Sequence, residues 1–181
     1  MQRSCDETVA RCTLITMLVL GLTSCASVES GSAGKVLAGA GQAAFGADLD
    51  TDGNPDGSYF GLVAELGGAA AKGHFVCAMW GKTKFMDLPL MGVEGRIQSA
   101  DMSPDGSVSL EGTGTVDMGS ADKFFEDVPF KVRVMPGGPG TGSLQLTVIG
   151  SFDGAPGDIQ PDNGNYDMPE ETVASGQIVL R

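Results

Sequence analysis

Residues 129 to 148 read PFKVRVMPGGPGTGSLQLTV, two alternating runs joined by a segment of glycine and proline. Phe130, Val132 and Val134 alternate with Lys131 and Arg133, and Leu144, Leu146 and Val148 alternate with Gln145 and Thr147. A period of two sends every second side chain to the same face of a pleated strand, so each run is a strand with one face buried and one wet. The glycines from Gly137 to Gly142 are turn residues. Neither they nor Gly112, Gly114 and Gly119 form a phosphate loop, since no Lys-Ser/Thr follows.

Outward from this stretch, strand signals recur at spacings of roughly ten residues with turn residues between them, the pattern of a sandwich or barrel. Strands are expected near 41 to 49, 58 to 66, 73 to 80, 82 to 87, 92 to 102, 107 to 118, 129 to 135, 143 to 152 and 172 to 180. Two connections share one chemistry, Asn54-Pro55-Asp56-Gly57 and Ser103-Pro104-Asp105-Gly106. Proline presets φ at the second turn position and glycine takes the left-handed one that follows, as in hairpins closed by a type I turn and bulge. The longest helical candidate is Ser120 to Val128, with Phe124 and Phe125 dipping inward for one or two turns. Hairpins without helical crossovers exclude a parallel sheet. The expected fold is all-β, a single antiparallel β-sandwich or small β-barrel of about eight to nine strands. Phe45, Phe60, Phe75, Phe85, Phe130, Phe152 and Trp80 fall mostly within strands and are expected to pack its core.

The N-terminus has a different character. Residues 13 to 24 read TLITMLVLGLTS, an uncharged apolar run after Arg3 and Arg11. As a helix it spans about 18 Å against a hydrocarbon layer of about 30 Å, so it is read as a signal peptide over residues 1 to 24 and not as a permanent span. The run closes on Leu22-Thr23-Ser24-Cys25, which resembles the bacterial lipobox, with Cys25 as the lipidated residue. Ala26 and Ser27 after it imply, by that resemblance, the outer membrane where the cell has one; the alternative is an ordinary signal peptide and a soluble secreted protein. Residues 25 to 40 are read as the lipidated cysteine and a flexible tether, and 41 to 181 as the β domain. Cys5 and Cys12 leave with the signal, so Cys77 alone remains in the domain and no internal disulfide is expected.

The chain carries 23 acidic and 11 basic residues, a net charge of −12. The charges lost with the signal, Arg3, Arg11, Asp6 and Glu7, cancel. A field of this sign repels nucleic acid and favours cations. Asp48, Asp50, Asp52 and Asp56 stand at positions 1, 3, 5 and 9 of a loop with Gly53 at 6, the first part of an EF-hand calcium loop. Tyr59 occupies position 12, where a bidentate Glu belongs, so either weak calcium binding or a plain polar hairpin turn is expected. His74 is the only histidine, and its offset of three from Cys77 points the two to opposite faces of a strand. No base, nucleophile and orienting group occur together, so no enzyme is expected.

Residues 41 to 181 resemble the small domains that follow choice-of-anchor modules in secreted bacterial proteins. The likeness rests on Gly41 with Phe45-Gly46, Gly73-His74, Gly112-Thr113-Gly114-Thr115-Val116, Pro129-Phe130-Lys131-Val132, Pro139-Gly140 and Ser175-Gly176-Gln177-Ile178. That family carries a second histidine in an Asp-His pair where this chain has Met79-Trp80. The resemblance implies an extracytoplasmic β domain with no assigned activity. The expected function is therefore a non-enzymatic binding or structural module of the cell envelope, held to the membrane by its lipid, with a protein or small-molecule partner. The rival is a lipocalin-like carrier, in which strands close around an apolar ligand and the methionines line a cavity.

Overall fold

The structure, a computed structural model, describes residues 34–48, 56–67, 70–80, 91–118, 124–155 and 157–181. All of them belong to one compact unit, Gly31–Arg181. Among the described residues there is no helix. The described residues form nine strands in a single antiparallel sheet: β1 (Lys35–Phe45), β2 (Gly57–Leu66), β3 (Lys72–Trp80), β4 (Gly92–Met102), β5 (Val108–Asp117), β6 (Phe124–Met135), β7 (Ser143–Val148), β8 (Tyr166–Asp167) and β9 (Glu171–Leu180). Each strand from β1 to β7 pairs with the next, β7 pairs with β8 and then β9, and β9 returns to β1. The order is that of an up-and-down barrel. Its seam joins β7 to β9 at Ser143↔Thr172 and Leu144↔Glu171 and continues before β7 through the Val173 N–H to the Gly142 carbonyl and the Gly137↔Ile178 bridge.

Alternation places the core inside the ring. Leu37, Phe75, Val108, Leu110, Val116, Val132, Val134, Leu144, Val148 and Met168 have no accessible surface at all. A water-sized void beside any of them would give it some, so the space around them is filled by side chains, as in small closed barrels. Phe130 lies 5.7 Å from Phe75, centroid to centroid. A Cβ on Gly95 would stand 2.4 Å from the Phe130 ring, and one on Gly112 3.0 Å, so bare backbone on β4 and β5 makes room for that ring.

Bulges re-aim the strands. In β9 the inward set is Glu171 and Val173 before the register shift and Ile178 after it, with Gly176 at φ 81° where the parity changes. In β4 a shift between Ile97 and Ser99 does the same. The Ser103–Gly106 turn forms as its residues require: Gly106 has φ 87° and its N–H donates to the Ser103 carbonyl at 3.0 Å. Asp105 accepts from the Ser107 N–H at 2.9 Å and hydroxyl at 2.7 Å, and from Arg133 at 2.9 Å. These hydrogen bonds from Ser107, with the Arg133 charge, hold the Asp105 carboxyl below its usual range.

Three expectations need correction. The first strand begins at Lys35, so residues 35 to 40 are ladder and not tether, hydrogen-bonded to β2 and β9 on their two sides. The helical turn at Ser120 to Val128 is replaced, over its described part, by the start of β6. There Phe125↔Val116 and Phe124↔Asp117 extend the ladder, because the far end of β5 needs a partner for its backbone. Phe124 and Phe125 consequently stay exposed, Phe125 edge-on to Phe152 at 5.2 Å. The last expected strand before β9 stops at Val148, where a turn begins. The strand expected at 82 to 87 lies outside the described residues.

Candidate functional site

The outward positions of β3 to β6 build a polar groove of about 650 Å³. His74 and Arg96 are direct cross-strand neighbours, as are Arg96 and Thr113, and Glu94 and Thr115. His74 Nε2 meets Glu94 Oε1 at 2.9 Å, one step diagonally along the pleat. Gln98 donates to the Thr113 hydroxyl at 3.3 Å, and the Thr115 hydroxyl donates to the Glu94 carbonyl at 3.4 Å. Glu126 and Asp127 close one side, with Asp127 held at φ 56° where β6 bulges away from β5. The groove thus offers carboxylates, a guanidinium, an imidazole, an amide and two hydroxyls to solvent. Among the described residues its lining includes no serine or cysteine to act as nucleophile beside His74.

A second polar group lies inside the ring, where residue reading found only apolar strands. Glu171 is 1% exposed, and Ser58, itself buried, donates to its Oε2 at 2.6 Å. Burial raises the Glu171 carboxyl to about 7, against which the Ser58 hydroxyl and backbone N–H pull only partway. Burial, with the Glu171 charge nearby, pushes the Cys77 thiol up to about 12, so this cysteine is a core residue and not a nucleophile. Three strands contribute one residue each: Ser58 from β2, Cys77 from β3 and Glu171 from β9. The cluster was hidden from sequence because the inward parity of β9 is set by its bulge, and nothing in Glu170-Glu171 tells which of the two turns inward.

His74 faces out and Cys77 faces in, so the two do not meet. Of the acidic loop, Asp48 and Asp56 are described and Asp50 and Asp52 lie outside the described residues. Asp56 is buried, its carbonyl accepting from the Phe45 N–H at 2.9 Å. Among the described residues no three His, Cys, Asp or Glu side chains come together as a metal site. Cys25 also lies outside the described residues. No family model, curated protein or solved structure matches the chain.

Proposed function

We propose that the protein is an exported lipoprotein, anchored through Cys25, whose barrel is a non-enzymatic binding module working through its outer surface. It is taken as a relative in kind of the small domains that follow choice-of-anchor modules. The observation that carries the surface reading is the filled interior: ten inward side chains with zero accessible area leave a carrier's ligand nowhere to sit beside them. The charged outer positions of β4 to β6, among them Glu94, Arg96, Glu111, Lys131 and Arg133, support a barrel that stands in water. Each basic side chain facing lipid near the bilayer midplane would cost about 2–4 kcal/mol. The groove between His74 and Asp127 then serves a polar partner, with Arg96 and His74 offering donors and Glu94, Glu126 and Asp127 acceptors.

Two measurements test this. Replacing Cys25 with Ser should move the protein from the membrane pellet to the soluble fraction; unchanged partition would defeat the anchor. Native mass spectrometry of the protein from its own membranes should show a bound polar species that Arg96→Glu removes. An apolar ligand retained by that variant would favour the carrier.

A further inference from the structure

The outer face of β9, β1, β2 and β3 is unlike the rest of the surface. Val36, Ala38, Ala40, Val63, Val76 and Ala78 point outward there, and Val63 is 47% exposed. The charged positions of these strands, Lys35, Glu65 and Lys72, sit together at the end where β1 starts and β2 finishes. In relief the face has two parts. A hollow of about 550 Å³ runs between β1 and β9, lined by Val36, Ala38, Ala40, Gln177, Val179 and Arg181. Beside it Val63 and Val76 stand as a ridge on β2 and β3 around Gly61, whose missing side chain lets Val76 Cγ1 lie 3.1 Å from where a Cβ would be.

We propose that this face joins two copies of the chain about a twofold axis running along the strands between β1 and β2. Such an axis carries the ridge of each copy onto the hollow of the other, and an isologous contact needs a surface that is self-complementary in this way. The same operator keeps both chains entering from one side, since β1 begins at the same end in each copy. Charge agrees. The protein carries a net −12 and would repel itself along most approaches, but the middle of this face holds no carboxylate. Four strands about 4.8 Å apart, with about eight residues of ~3.3 Å rise, present about 500 Å² per copy. Twice that, about 1,000 Å², reaches the lower bound for a specific interface and corresponds to a reversible dimer.

The contact stands apart from the lipid anchor, so its test separates the two: the Cys25→Ser protein should dimerise without detergent as the native protein does with it. Sedimentation equilibrium of the full chain in density-matched mild detergent should give a dimer that dissociates at micromolar concentration. Val63→Glu should shift that dissociation at least tenfold higher while Ser109→Glu, on the outer side of β5, leaves it in place. Circular dichroism melts report whether each variant folds, and Ala40→Glu replaces Val63→Glu if the latter does not. A native protein that stays monomeric to about 100 µM, or a dimer that survives substitution at both Val63 and Ala40, overturns the proposal.

Discussion

The two halves of the barrel share one apolar interior but place their polar groups differently. Strands β4 to β7 carry their ions outward, Glu94, Arg96, Glu111, Lys131 and Arg133 among them, and line the interior with Val93, Leu110, Val132, Leu144 and other apolar groups. Strands β9, β1, β2 and β3 keep the middle of their outer face free of carboxylates, with His74, Gln42 and Gln177 among apolar positions, and hold a carboxyl, a hydroxyl and a thiol within. An outward polar residue on a strand costs nothing to solvate, whereas an inward one must find its partner in the core. The first half therefore keeps its interior apolar and its polar contacts, such as Asp105 with Ser107 and Arg133, at the surface. The second half places part of its stability under the control of pH and leaves an apolar face uncovered.

The largest expected effect breaks the packing of the first half. Phe130→Ala removes a ring seated against Phe75 and over the bare backbone of Gly95 and Gly112, which cannot close on the space. A loss of about 3–5 kcal/mol is expected in urea unfolding, the range for a large aromatic truncated in a core. A loss under about 1 kcal/mol would mean that the interior at Phe130 is loosely filled.

The next effect belongs to the second half alone. Glu171 titrates near 4.5 when unfolded and near 7 in the barrel, so between those values the folded chain holds a proton that the unfolded chain has released. The Glu171 contribution is thus full below about pH 4.5 and falls as pH rises to about 7, by up to ~3 kcal/mol at 1.36 kcal/mol per unit. Glu171→Gln keeps an acceptor for Ser58 and removes the charge, so the variant should exceed the native protein in stability at about pH 8 and lose that advantage at about pH 5. Urea midpoints at both values check it, and parallel pH profiles in the two proteins would show that the native carboxyl is hydrated and ionised throughout.

The smallest effect sharpens the contrast from outside. Glu94→Gln removes the charge facing His74 on the charged half, but both side chains are about half exposed or more. Stability should move by no more than about 0.5 kcal/mol in the same assay, because exposed pairs are screened and gain little.

How far all this was legible follows the same division. Phe130, Val132, Val134 and their Leu144 to Val148 partners declare their strands because inward and outward positions differ in chemistry at every step. The Ser103–Gly106 turn was readable because proline and glycine fix its dihedrals. Lys35 to Ala40 escaped notice because Ala38, Gly39 and Ala40 do not alternate in chemistry, glycine standing inward and alanine outward. Phe124 to Asp127 read as a short helical turn because their order, two aromatics and two acids, has no period of two. The groove could not be assembled from sequence, since His74, Arg96 and Thr113 become neighbours only through the register of three strands. The sequence sign nearest the β9 bulge at Ala174 is Gly176, a glycine inside a strand pattern.

The ring order has a consequence for how the chain reaches this state. Every contact between successive strands can form as a local hairpin soon after its residues are made, and such contacts form fast. The pairing of longest range is β1 with β9, which joins Leu37 to Leu180 and Phe45 to Glu171 across nearly the whole domain. A chain delivered from its N-terminus therefore carries β1 with one side of its ladder open until Glu171–Leu180 arrives. During that interval Lys35–Phe45 is an unpaired edge, the kind of template on which strands from neighbouring chains add. Truncation anywhere before Glu171 would make that interval permanent, and the final strand acts as the clasp without which the other eight remain an open, adhesive sheet.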